Sequence, residues 1–95
     1  MKEHRNASDQ LTFDFNKINS WQYKKITKSV VKHFNLLPAN KLTVGLDEKI
    51  QEFKMGNNII GLEWDNWSGY IVDAKNQEAE PLVREIAKYI NDNFK

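Results

Sequence analysis

The stretch GLEWDNWSGYIVDA, residues 61–74, sets two tryptophans three positions apart around an Asp-Asn pair. Strand-forming residues flank turn-forming ones, the pattern of a β-hairpin. Pairing Trp64 with Gly69 across Asp65–Ser68 opposes Leu62 to Ile71 and Ile60 to Asp73 on one side. On the other side Glu63 meets Tyr70, Gly61 meets Val72 and Ile59 meets Ala74. The Ile60, Leu62, Trp64 and Ile71 side is the more apolar and is expected to face the core. Trp67 then stands at the tip, and Glu63, Tyr70 and Val72 lie on the uncovered face. A glycine inside a strand weakens it unless something packs closely there, so a ring, from Tyr70 or Trp67, is expected across Gly61.

Outward from this hairpin the periodicity alternates between two and about 3.6. "LTFDF" (11–15) places Leu11, Phe13 and Phe15 on one face, as a half-buried strand does. From Trp21 to about Asn35 the apolar residues Tyr23, Ile26, Val30, Phe34 and Leu37 recur at spacings of three and four, on one helical stripe. Asn19 or Ser20 suits its N-cap, and Pro38 ends it by Asn35 or Leu36. "KLTVGL" (41–46) alternates again, with Leu42, Val44 and Leu46 on one face. "KIQEFKM" (49–55) follows, then the Gly56-Asn57-Asn58 turn and "IIGLEW" (59–64). The final segment starts at Glu80 with Pro81 in a first-turn position, and it carries Leu82, Val83, Ile86, Ala87, Ile90 and Phe94 on one stripe.

The predicted fold is therefore α+β: a two-layer sandwich in the order β-α-β-β-β-β-α, with an antiparallel sheet of about five strands and two helices on one face. The order of elements resembles one half of a TATA-binding-protein-like fold. Residues 1–10 are polar apart from Met1 and Ala7 and read as a mobile tail; residues 11–95 read as a single domain.

Composition narrows the function. A chain of 95 residues with 40% hydrophobic and 28% charged residues supports one modest core and is not that of a disordered protein. Net charge is +1, which gives no global attraction to nucleic acid or anionic lipid. The charges are nonetheless segregated: residues 1–41 carry a balance of +5 and residues 42–95 a balance of −4. No cysteine is present, no apolar run approaches a membrane span, and the first residues lack the apolar centre of a signal peptide. A cytoplasmic location is expected. The many Lys, Asn and Ile residues, with their AT-rich codons, point to a low-GC and so bacterial genome.

A search for catalytic patterns finds none. His4 lies in the N-terminal segment and His33 alone near a helix end, and the four glycines are scattered at 45, 56, 61 and 69. No Gly-x-Ser-x-Gly elbow or glycine-rich phosphate loop occurs. Glu63 and Asp65 flank Trp64, but Asp65 is turn chemistry. No metal and no cofactor are expected. The expected function is a non-enzymatic protein-interaction module of the inhibitor, immunity or adaptor type. It would bind a protein through the open sheet face and the 65–70 tip, with Trp67, Tyr70, Glu63 and Val72 as contacts. Trp67 must either fold back over the hairpin or be offered to a partner, and aromatic residues are enriched among binding hot spots. Lys24, Lys25, Lys28 and Lys32 form a basic stripe with no acid within that helix. It supports a first alternative, nucleic-acid binding, and the open sheet face supports a second, a homodimer.

Overall fold

The computed structural model of the protein describes residues 1–94. Its elements are β1 (Lys2–Arg5), β2 (Leu11–Phe15), α1 (Tyr23–Phe34), β3 (Leu37–Pro38), β4 (Thr43–Val44), β5 (Glu48–Met55), β6 (Asn58–Asp65), β7 (Gly69–Ala74) and α2 (Glu80–Phe94). Short 3-10 turns, Ser20–Gln22 and Gln77–Ala79, lead into the two helices. The strands form one antiparallel sheet in the order β1-β2-β7-β6-β5-β3, with β4 also paired to β5. This is the expected α+β sandwich with more strands than expected. The two additional strands are short, β1 at one edge and the two-residue β3 at the other, and the strand expected over 41–46 is reduced to the two residues of β4.

Both amphipathic helices bury their stripes against the same face. The helix α1 packs on β6, and α2 packs on β2 and β7. Phe13, Leu62, Val72, Ile26, Val30 and Ile86 meet in the core. Two buried phenols tie α1 to the sheet. Tyr23 Oη donates to the Leu62 carbonyl at 2.5 Å, and Tyr70 Oη shares a 2.7 Å hydrogen bond with Thr27 Oγ1. Burial raises both phenol pKa values, that of Tyr23 to about 12, so each stays protonated. Between the helices, Ser29 Oγ and Tyr89 Oη lie 2.6 Å apart, and the His33 ring stacks on Tyr89.

The helix layer is narrower than the sheet. Two helices about 10 Å wide cover roughly four strands at about 4.8 Å spacing, so a sheet this broad overhangs. The overhang falls on the β3–β4 side. Leu42, Val44 and Leu46 alternate as a half-buried strand would, yet all three are exposed, Leu46 at 99%. Only Thr43 and Val44 pair with β5, opposite Ile50 and Lys49. Leu37 was expected on the helical stripe but is also exposed. Asn35, in the left-handed region (φ 55°), ends α1; the Leu36 N–H then returns to the Val31 carbonyl, and Leu36 takes the buried position.

The N-terminal segment corrects a further expectation. Residues 2–5 do not form a mobile tail but an edge strand, with Lys2 opposite Asp14 and Arg5 opposite Leu11. A charged edge strand without apolar residues leaves no periodic signal in the sequence, and it suits the outer position.

Candidate functional site

The hairpin β6–β7 differs from its expected register by one residue. Asp65 pairs with Gly69, Trp64 with Tyr70, Leu62 with Val72 and Gly61 with Asp73. The connection is three residues long, and Gly69, which follows it and pairs with Asp65, holds φ +72°, a left-handed conformation that favours glycine. A one-residue slip exchanges the faces of a strand. Tyr70 and Val72, expected on the open face, are therefore fully buried beneath the helices, and Ile71 and Asp73 take their places. Neither Tyr70 nor Val72 can be touched by a partner. Trp64 lies on the helix side as expected, partly buried, with its indole N–H donating to the Ile18 carbonyl at 2.8 Å.

The register brings a charged cluster together on the open face. Around Gly61 stand Asp73, Glu63 and Lys75. A Cβ at Gly61 would collide with Asp73 Oδ1 and Glu63 Oε2 and would lie 2.9 Å from Lys75 Cε. The glycine is thus covered by carboxylates and a lysine stem and not by an aromatic ring. Lys75 Nζ donates to Asp73 Oδ2 at 3.1 Å and lies 2.8 Å from Glu63 Oε2, without the angle of a directed hydrogen bond. Asp73 is only 3% exposed, and among the described residues neither its Oδ1 nor Glu63 Oε2 has a hydrogen-bond partner. A proton on the Glu63 carboxyl relieves its repulsion with Asp73, because burying two like charges in one site is costly. A second pair lies farther toward β1, His4 Nε2 to Asp14 Oδ2 at 2.9 Å. Among the described residues no group of three or more His, Cys, Asp and Glu side chains is placed to hold a metal ion.

Burial first, and the charge of Asp73 second, push the Glu63 carboxyl from its ordinary 4.5 to about 7, against the pull of Lys75. A carboxyl whose pKa rises on folding holds its proton more tightly in the folded state. Its stabilising contribution is complete below about pH 4.5 and is lost as the pH climbs through about 7. At about 1.4 kcal/mol per pKa unit, ionisation costs the fold up to roughly 3 kcal/mol. Glu63→Gln removes this titration and offers an N–H to Asp73 Oδ1. Glu63→Gln should flatten stability between pH 5 and 8 and raise it at pH 8 by about 1–3 kcal/mol. An unchanged pH slope in urea melts would refute the raised Glu63 pKa.

The tip itself is held by hydrogen bonds. Asp65 Oδ1 accepts the Trp67 N–H at 2.9 Å and the Ser68 N–H at 2.6 Å. Asn16 Nδ2 reaches the Trp67 and Ser68 carbonyls, both at 3.3 Å, and the Asn66 N–H donates to the Asp47 carbonyl at 3.2 Å. From this held turn Trp67 projects with 80% of its surface exposed. It does not fold back over the hairpin. The Asn66–Asp47 bond sets the tip beside the turn that carries Leu46, so two large apolar side chains share this end of the sheet.

The lysine stripe lies elsewhere, on α1. Lys24 and Lys28 line a groove of about 670 Å³ between α1 and the overhanging strands, with Tyr23, Thr27, Leu42, Val44, Lys49 and Gln51 as its other walls. Lys25 and Lys32 do not line it. Among the described residues none of Lys24, Lys25, Lys28 and Lys32 takes part in an ion pair. Compared with known proteins, the chain matches no family model, no curated sequence and no solved structure.

Proposed function

We propose that the chain is a protein-binding module whose contact surface is the end of the sheet around Trp67. The observation that carries this reading is the exposure of Trp67 on a turn already fixed by hydrogen bonds. Presenting a large ring from a preorganised turn costs little ordering entropy on binding, and tryptophan is the residue type most enriched among binding hot spots. Leu46, on the adjoining turn, is a second large apolar side chain exposed at this end of the sheet. Glu63 takes part only as a member of the charged cluster on the adjacent face, since Lys75 and Asp73 already engage it.

Trp67→Ala should leave stability within about 1 kcal/mol, as surface substitutions do, and cost about 2 kcal/mol or more in binding. The measurement is quantitative capture from extracts of the native cell on immobilised wild-type and Trp67→Ala protein, with circular dichroism melts of both. One protein enriched on the wild type and depleted on the variant is the expected result. Identical capture on two equally folded baits would overturn the reading.

A further inference from the structure

The groove beside α1 has the chemistry of a second contact. Its walls combine exposed aliphatic side chains, Leu42 and Val44, with three lysines, Lys24, Lys28 and Lys49, and none of its eight lining residues is acidic. Lys49 is held in place, donating to the Ser20 carbonyl at 2.9 Å and lying 5.6 Å from the centre of the Tyr23 ring. Lys24 and Lys28 are exposed and have no carboxylate partner among the described residues. Like charges four residues apart on a helix repel, so a ligand that neutralises them relieves a cost already present.

The wall of the groove formed by residues 42–44 is anchored on both sides. Ala39 N–H donates to the Glu52 carbonyl, Asn40 Oδ1 accepts the Glu52 N–H, and Gly45 N–H donates to the Glu48 carbonyl. The segment that bears Leu42 and Val44 is thereby pinned to β5, with its apolar side chains left outside the helix layer. Aliphatic walls with a basic rim match a ligand that is apolar on one side and acidic on the other. They do not match single-stranded nucleic acid, which needs exposed rings for its bases: the one aromatic in the groove, Tyr23, is buried with its hydroxyl bonded to Leu62. The chain's own acidic helix is a poor occupant as well. In α2, Glu80 is already held by Arg5 and Asp92 by Lys88.

We infer that the groove between α1 and β4–β5 receives an acidic amphipathic segment of a partner protein, with its apolar residues on Leu42 and Val44 and its carboxylates on Lys24 and Lys28. The inference rests on the protein-binding reading above and adds the chemistry of the partner.

The test uses the full chain, labelled with ¹⁵N, and four probes followed by amide shifts. These are a short peptide of leucine and glutamate at helical spacing, its leucine–lysine counterpart, an oligothymidylate, and the protein itself at rising concentration. The leucine–glutamate peptide should move the amides of Lys24, Lys28, Leu42 and Val44, and its binding should weaken with added salt. The double variant Lys24→Glu, Lys28→Glu, at two exposed positions, should melt like wild type and bind this peptide about tenfold more weakly. The inference is overturned if the leucine–lysine peptide binds equally well, or if only the oligothymidylate or self-association moves the groove amides. It is equally overturned if the double variant binds the leucine–glutamate peptide as wild type does. Trp67→Ala lies outside the groove and should leave peptide affinity unchanged. A silent groove with Trp67-dependent capture intact refutes this inference alone, whereas peptide binding without that capture refutes the tip.

Discussion

Tyr70→Ala should unfold the protein, or leave it about 3–5 kcal/mol less stable, the cost of removing a fully buried aromatic ring. Tyr70 has no exposed surface. Its ring lies against Tyr23, with centroids 5.5 Å apart, beneath α1. Truncation opens a cavity at the junction of β6, β7 and α1, and it strips Thr27 Oγ1 of its 2.7 Å partner in a buried setting. An orphaned buried hydroxyl adds about 1–3 kcal/mol. Tyr70→Phe separates the two contributions, since it keeps the ring and loses only the hydrogen bond. It should cost about 1–2 kcal/mol. Urea denaturation of the three proteins measures both. A Tyr70→Ala protein that melts within about 1 kcal/mol of wild type would place the ring on the open face and restore the four-residue hairpin.

Gly69→Ala should be at least as damaging, for a backbone reason. Gly69 holds φ +72°, where a side chain is strained, and a Cβ there would collide with the Phe15 carbonyl oxygen and lie 2.8 Å from the Phe15 carbonyl carbon. The obstacle is the main chain of the neighbouring strand β2, which cannot rotate away as a side chain tip can. Either β2 and β7 separate at this end, where Phe15 pairs with Tyr70, or the hairpin changes its register. A loss of about 4 kcal/mol or more is expected, in the range reserved for strain and broken packing. Gly56 makes the control. It has φ +60° but nothing near its absent Cβ, so Gly56→Ala should cost only the conformational strain, about 1–2 kcal/mol. Equal losses at the two glycines would show that the close approach of Phe15 is not what fixes the turn.

These two positions also mark how far the sequence could be read. Strand 11–15 and both helices were legible because each has a single apolar face and a clear period. The hairpin was legible as a hairpin but not in register. Both faces of 69–74 carry strand-forming residues, so hydrophobicity did not choose between Ile71 and the Tyr70, Val72 pair as the inward set. The choice is made by Gly69, whose left-handed conformation closes a three-residue loop. That signal was present in "NWSG", because glycine is the residue that takes a left-handed conformation without strain.

The consequences for the site follow from that one residue. With the slipped register Gly61 faced Val72 and called for a ring; with the observed one it faces Asp73, and the missing side chain makes room for two carboxyls and Lys75. Trp67 stood at the tip under either register, and there the expectation and the structure coincide. The groove was not legible at all. Leu42, Val44 and Leu46 have the pattern of a buried strand, and only the width of the helix layer relative to the sheet leaves them outside. Width is a property of the assembled layers and has no local signature in the residues that it exposes.

The proposed function turns on whether the exposed ring at the tip is the one that a partner touches. The three tryptophans make this directly observable, because each contributes one indole N–H resonance, assignable from Trp21→Phe, Trp64→Phe and Trp67→Phe spectra. In the free protein the Trp64 indole, bonded to the Ile18 carbonyl, should exchange slowly with solvent, and those of Trp21 and Trp67 should exchange fast. The decisive spectrum is that of the ¹⁵N-labelled chain titrated with the protein captured by the wild-type bait. The account predicts that the Trp67 indole shifts or broadens on binding and becomes protected, while that of Trp64 stays in place. A Trp67 indole that keeps its position and its fast exchange in the saturated complex would contradict it.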